Sequence, residues 1–361
     1  GADWLGVAQL AEAFTLRRGL DEAAVARADA PILAWISTSS SDFAAAIEAD
    51  IDLSVSWTWV LADICAAARE VGRPARVHVK IDTGMSRAGS TLADLPALAS
   101  ALRMAVDDGL VDVVGAWSHM SRADDPSEAG NASTASHVRI FEEGLAILAD
   151  AGITPRIRHL AATSGILWHT EAHYDMVRAG IGLYGLSPDP AVATSEQLGL
   201  IPALELRAPL TSVKVIEEGT PVSYGGTWVA PTRRWIGLVP LGYGDGILRA
   251  VSNKARVVVH TASGPFNAPL IGRVCMDQFM VDLGPAQASP GTPTARSGQA
   301  PAAPGDTAIL FGSGAGGEAL ADDWADAAST INYEIVTHLG THIPRTYRGH
   351  AARTQERNTH E

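Results

Sequence analysis

The order of apolar and polar positions changes character once along the chain. Through the first half, short apolar runs alternate with longer segments in which apolar residues recur at i, i+3, i+4 and i+7. The short runs are DWLGVA (3–8), PILAWI (31–36), DLSVSW (52–57), ARVHVKID (75–82), VDVVGAWSH (111–119), RIRHLAATS (156–164) and DMVRAGIGLYGL (175–186). They read as strands. QLAEAFTLRRG, SDFAAAIEADI, WVLADICAAAREVG, LPALASALRMAVDDG and HVRIFEEGLAILADAG carry the helical period between them. Several of these end in glycine, a helix stop signal. Strand and helix in alternation predict parallel βαβ units. Seven strand runs are visible, whereas a closed (β/α)8 barrel has eight. A doubly wound open sheet accommodates seven, but its glycine-rich phosphate fingerprint is missing near the start. The expected fold is α/β: a (β/α)8-type barrel over residues 1–197, lacking its first βα unit.

Beyond this point the helical period fades. LELRAPLTSVKVIEEG, RRWIGLVPLG, ARVVVHT, APLIGRVCMDQFMVDLG and DTAILFG are β-rich and punctuated by turn residues. Residues 198–361 are expected to form a mainly β C-terminal domain. Within it, residues 285–306 are rich in Pro, Ala, Gly and Ser and read as a loop without a core of its own. HAARTQERNTHE reads as a frayed tail.

Composition narrows the function by exclusion. The 361 residues are 47% apolar and 19% charged, as in ordinary globular chains. With 27 basic and 40 acidic side chains, the formal net charge is −13. That argues against a nucleic-acid partner and leaves anionic ligands to locally placed Arg or Lys. Cys65 and Cys275 make neither a disulfide framework nor a zinc pattern, which fits a reducing cytoplasm and no metal. No apolar run reaches the ~18–20 residues of a membrane helix, and no signal peptide opens the chain.

In a (β/α)8 barrel the chemistry sits at the C-terminal ends of the strands. Lys80 and Asp82 end the fourth visible strand, and His119 ends the fifth. His159 lies on the sixth with Thr163 and Ser164, and Arg178 on the seventh, before GIGLYG. Singly, each reads as a satisfied core or rim side chain, and for each histidine that plain reading comes first. Together they describe a mouth that suits an anionic ligand. Lys80 is one of three lysines, with Lys214 and Lys254. A buried ammonium needs a partner, and Asp82, two residues on, offers one. Arg87 lies in the following turn, DTGMSRAG. The β domain adds Tyr224 in VSYGGTW, Tyr243 and Asp245 in PLGYGDG, Met276 and Asp277 in RVCMDQ, and Tyr333 in INYE.

KIDTGMSRAG, VSYGGTW, WIGLVPLGYGDG, GRVCMDQFMVDLG, TINYE and IPRTYRG, in this order, resemble the alanine racemases, the fold type III pyridoxal 5'-phosphate (PLP) enzymes. The resemblance runs from residue 1 to about 348. It implies a homodimer whose active sites are shared between subunits, and interconversion of L- and D-alanine by two bases, supplying D-alanine for peptidoglycan. Tyr224 matches the tyrosine base that serves L-alanine. Arg87 resembles the arginine beside the cofactor's phenolic oxygen and the substrate carboxylate, and Met276 the residue whose backbone N–H also holds that carboxylate. Tyr333 matches a phosphate-binding tyrosine, and Gly180 and Ile181 match backbone phosphate contacts. Arg178 resembles the arginine facing the pyridine nitrogen. Its permanent charge would keep that nitrogen unprotonated. His159 would brace Arg178, and His119 would link it towards Tyr224. Lys80 matches a lysine that is often N-carboxylated, and that carbamate would pair with Arg87.

Three departures stand against this match. HLAATS replaces an HxANS-like motif, with Thr163 at the serine position and Ala162 in place of an amide. GYGDG replaces the commoner GYADG. The covalent Schiff-base lysine, also the second base, belongs to a VKADAYGHG-like motif in the first barrel strand, and nothing like it occurs here. The expectation is therefore an N-terminally truncated racemase with negligible activity as written. The alternatives are a broad-specificity (serine) racemase or a non-catalytic paralogue.

Overall fold

The computed structural model describes residues 1–286 and 300–348. Most of the Pro/Ala-rich stretch and all of the expected tail lie outside the described residues. The chain separates into two compact units: Gly1–Leu183 with Ser187–Thr194, and Tyr184–Leu186 with the chain from Ser195 onward.

The first unit alternates strand and helix. Its elements are β1 (Leu5–Gln9), α1 (Leu10–Glu22), β2 (Ile32–Ile36), α2 (Phe43–Glu48), β3 (Ile51–Val55), α3 (Thr58–Val71) and β4 (Ala75–Lys80). They continue with α4 (Leu95–Asp107), β5 (Val111–Trp117), α5 (Glu128–Asp150), β6 (Ile157–His159) and α6 (Thr163–Trp168). The six strands form one parallel sheet in the order β1-β2-β3-β4-β5-β6. Capping residues fix several helix ends. Asp42 accepts a hydrogen bond from the Ala45 N–H at 2.9 Å, and Ser127 Oγ accepts one from Gly130 at 3.1 Å. Gly72 ends α3 in the left-handed conformation, at φ 76°. Ser127 starts α5 ten residues before the periodic segment HVRIFEEG, so this helix is longer than its apolar pattern.

The two faces of the sheet differ. Ile32, Ala34, Leu53, Val55, Val77 and Val79 join the core built with α1–α5, where Phe141, Leu95, Leu102 and Ile64 are fully buried. Burying such apolar side chains contributes about 1.5–3 kcal/mol each. Alternation sends Asp52, Ser54, His78 and Lys80 to the other face. A bulge between β4 and β5 extends this polar face. The register runs Val77 opposite Val113, then His78 opposite Gly115 and Lys80 opposite Trp117. The extra residue moves Trp117 off the side used by Val111 and Val113 and sets it beside Lys80.

Two sequence expectations are corrected here. The sixth strand ends at His159, and Thr163 opens α6. The seventh run is not a strand. It makes one bridge, between Ala162 and Arg178, followed by a 3-10 turn at Ile181–Tyr184. Its glycines explain this. Gly185 sits at φ +75°, and a Cβ there would overlap the Ile201 carbonyl.

The second unit is an antiparallel sheet. It contains β7 (Leu206–Pro209), β8 (Ser212–Ile216), β9 (Pro221–Val222), β10 (Trp228–Val229), β11 (Arg234–Val239), β12 (Arg256–Thr261), β13 (Gly264–Ile271), β14 (Phe279–Pro285) and β15 (Thr307–Phe311). Seven of these form one sheet, in the order β7-β15-β12-β13-β14-β11-β8, while β9 and β10 pair as a small hairpin. The fading of helical period missed α7 (Ala321–Ala328) and α8 (Asn332–Thr337). Trp324 of α7 packs edge-on against Phe279 and Phe311, and its Nε1–H donates to the Leu310 carbonyl at 2.7 Å. None of the helices among the described residues is long and apolar enough to cross a membrane.

Phe141→Ala should lower unfolding stability by about 3–5 kcal/mol, because Phe141 has no exposed surface, whereas Met104→Ala, at a residue 63% exposed, should change it by less than about 0.5 kcal/mol. Urea denaturation of the two variants checks the core assignment.

Candidate active site

In the first unit the site grows from the C-terminal ends of β4, β5 and β6. Lys80 ends β4, is buried, and lies with Nζ 4.2 Å from the centroid of the Trp117 ring. The pair with Asp82 that strand alternation suggests is not formed. Asp82 Oδ1 instead accepts from the Gly84 and Ser86 N–H groups at 3.0 and 3.1 Å. It thereby shapes the turn that carries exposed Arg87, with Ser86 at φ 56°. The turn is closed by the Asp82 N–H to the Ser90 carbonyl and the Ser90 N–H to the Lys80 carbonyl, each at 2.9 Å. Burial first, then the charges of Arg87 and Arg178, pull the Lys80 pKa down to about 8.

Arg178 is half-buried and its partners are neutral. Nη1 donates to the His159 carbonyl at 2.9 Å and to His159 Nδ1 at 3.1 Å. Nη2 donates to the carbonyls of Ser118 at 2.7 Å and Leu160 at 3.0 Å, and approaches His119 Nδ1 at 3.4 Å. Burial lowers its pKa to about 10, which leaves it charged at neutral pH. The same cation weighs on its neighbours. Burial, then Arg178, Arg87 and Lys80, take His119 down to about 4. Burial, then Arg178 and His78, hold His159 well below the usual histidine range. Both imidazoles are neutral at pH 7.

Trp117 is a site residue that the sequence reading did not single out. It stacks on His159 with centroids 5.7 Å apart and planes 1° from parallel. Its ring faces Lys80 and lies 5.2 Å from the Arg178 guanidinium carbon. The bulge in β5 hides it from simple alternation. Thr163 Oγ1 accepts from the N–H groups of Gly180 and Gly182 at 3.2 and 3.4 Å, so the hydroxyl at this position holds the backbone through Ile181.

In the second unit three motifs converge. Tyr243 and Gly244 donate their N–H groups to the carbonyls of Cys275 and Met276, at 3.0 and 2.8 Å. A Cβ at Gly242 would overlap the Met276 carbonyl. Ser223 Oγ donates to the Arg273 carbonyl at 2.6 Å. VSYGG, PLGYGDG and GRVCMDQ are thus knitted into one loop cluster. It presents Tyr224 at 69% exposure and Met276 at 56%, beside exposed Tyr243. Ser223 has φ 65° and ψ −174°, a region used almost only by glycine, and it sits directly before Tyr224. Tyr333 lies in the first turn of α8.

Lys80, Arg87 and Arg178 therefore form a cationic group, and among the described residues no carboxylate pairs with any of them. Such a donor set fits a polyanionic ligand such as PLP with a substrate carboxylate.

Two titrations test these electrostatics. Lysine 15N NMR should place the Lys80 midpoint near pH 8, and Arg87→Gln should raise it by removing a repelling charge; an unmoved midpoint refutes the coupling. For His119, the unfolded chain binds more protons than the folded one between pH 4 and 6.5, so stability rises with pH across that window. His119→Gln should flatten that rise in urea melts taken from pH 4 to 7.

Comparison with known proteins places this geometry. Residues 1–188 match the family model "Alanine racemase, N-terminal domain", and residues 203–347 match "Alanine racemase, C-terminal domain". An alanine racemase of Salinispora arenicola is 44% identical over 351 residues, covering 97% of this chain and 86% of the relative. One from Beutenbergia cavernae is 45% identical over 349 residues, covering 97% and 85%. The crystal structure of alanine racemase from D-cycloserine producing Streptomyces lavendulae superimposes with a TM-score of 0.85 at 40% identity, covering 97% of this chain and 84% of that one. The alanine racemase of Streptomyces coelicolor A3(2) gives 0.86 at 40% identity, covering 96% and 85%. With both domain models matched in order and relatives similar over nearly the whole length, the chain belongs to the alanine racemase family.

Proposed function

We propose that this chain interconverts L- and D-alanine in the cytoplasm with PLP, as a homodimer. The observation that carries the reading is the cationic mouth formed by Lys80, Arg87 and Arg178, none of them ion-paired among the described residues, beside neutral His119 and His159. The six-stranded parallel sheet is then an arc of a (β/α)8-type barrel. When bound, PLP supplies an electron-accepting ring that disperses the charge left as the α-proton departs.

The chain's own residues divide the remaining work. Arg178, held by five neutral acceptors, would present a full positive charge to the ring nitrogen and offer no proton. In the first unit, Thr163 and the backbone of Gly180 and Ile181 that it holds would serve the phosphate; in the second unit, Tyr333 resembles the family's phosphate-binding tyrosine. Arg87 would hold the substrate carboxylate from the first unit, and the Met276 backbone N–H would serve a carboxylate held by the partner subunit. Tyr224 takes or returns the α-proton on the L face. The exposure of Tyr224 and Met276 supports a second subunit completing the site. Lys80, Lys214 and Lys254 lie outside any VKADAYGHG-like motif, so the covalent lysine of the family has no counterpart among them.

Lys80 is suited to carboxylation. With a pKa near 8 it holds a fraction of free amine at neutral pH. Its lone pair bonds the carbon of carbon dioxide, one C–O π pair moves to oxygen, and the nitrogen releases a proton to solvent. The product is an anion, which replaces repulsion from Arg87 and Arg178 by attraction.

The test is α-proton exchange followed by 1H NMR in D2O with PLP present. Tyr224→Phe should slow exchange from L-alanine by about 10²–10⁴-fold. An unchanged rate of exchange from L-alanine in the folded variant would sink the assignment of Tyr224 to the L face.

A further inference from the structure

Behind Arg178 the polar face of the sheet carries a continuous chain of buried hydrogen bonds. His159 Nε2 lies 3.0 Å from His78 Nδ1, and His78 Nε2 lies 3.2 Å from Asp52 Oδ2. Arg76 grips the same carboxylate with Nε to Oδ1 at 2.6 Å and Nη2 to Oδ2 at 3.1 Å. Asp52, His78 and His159 are all fully buried.

The chemistry of the two ends fixes the direction of every bond. An arginine only donates, so His159 Nδ1 must be bare and accept from Arg178. The His159 proton is then on Nε2 and is donated to His78 Nδ1. That leaves the His78 proton on Nε2, donated to Asp52. At the far end an ionised carboxylate only accepts, which agrees. Burial pushes the Asp52 carboxyl up, but hydrogen bonds from His78 and Arg76 outweigh it and hold the group below its usual range. Any other tautomer of either histidine sets two donors face to face in a dry interior, which is costly.

The sheet is shaped to permit this chain. Gly115 lies opposite His78 through the β5 bulge, and a Cβ there would overlap His78 Nδ1. Only glycine leaves the imidazole room to reach His159. Trp4 meets the His78 ring edge-on at 6.1 Å and closes its other side.

We infer that Asp52 and His78 are positioning residues that lock the tautomer of His159 and, through it, the orientation of the Arg178 guanidinium. They touch no ligand. The lock concerns side chains of this unit alone and holds whatever occupies the mouth.

Selective 15N-histidine NMR of the full chain reads it directly. In the wild type, His78 and His159 should each carry the proton on Nε2, with Nδ1 bare. A His159 protonated on Nδ1 overturns the inference. Asp52→Asn reverses the polarity at the far end. Its oxygen stays with Arg76, and its amide N–H donates to His78 Nε2. His78 should move its proton to Nδ1, and His159 should turn from one tautomer into a mixture. The Arg178 Nη protons, separate while the guanidinium is held, should merge as it rotates. Unchanged His159 and Arg178 signals in folded Asp52→Asn overturn the inference. If that variant does not fold, Gly115→Ala breaks the chain one link further on, and the same two outcomes are read on His159 and Arg178.

Discussion

Everything at the mouth of the first unit answers to one uncompensated charge. Arg178 is held by carbonyls and imidazole nitrogens, and none of these neutralises it. A carboxylate placed there would have formed an internal ion pair and left little field for a ligand. Neutral acceptors satisfy the geometry of the guanidinium and leave its charge outward. Burial first, and that cation after it, lower the basicity of His119 and His159, while burial, Arg87 and then Arg178 lower that of Lys80. Asp52, the carboxylate connected to Arg178 through hydrogen bonds, is kept two imidazoles away.

The alternation of strands and helices was legible in the sequence because apolar spacing is set by local geometry. Five helical segments and the first five strand runs lie where the period puts them. The seventh run failed because DMVRAGIGLYGL is apolar enough for a strand, while its glycines let it turn tightly. Period alone cannot separate these outcomes. Lys80, His119 and His159 were visible as polar groups at strand ends, and Arg178 as one on a run that makes a single bridge instead of a strand. Trp117 was not, since one bulge in β5 inverts the parity of everything after it. His78 and Asp52 were open to detection as polar positions in phase with Lys80 or on a neighbouring buried strand. A histidine in a strand carries no mark of its partner, so their link lay beyond the sequence.

In the second unit the informative signal was glycine. Three motifs far apart in sequence meet because Gly242 and Gly272 let one turn press against another's backbone. The two helices were missed for separate reasons. α8, six residues long, is too short for period to show, whereas α7 buries Ala321, Trp324 and Ala325 at i, i+3 and i+4 and was passed over among the β-rich runs.

Ser223 marks a place where durability and performance compete. Its backbone occupies glycine territory, and its hydroxyl is tied to Arg273. Glycine at this position would relax the strain, and a search for heat-resistant forms would favour it. The same exchange would remove the tie that aims the adjoining tyrosine. Selection for a working protein must keep an uncomfortable serine that selection for toughness alone would discard.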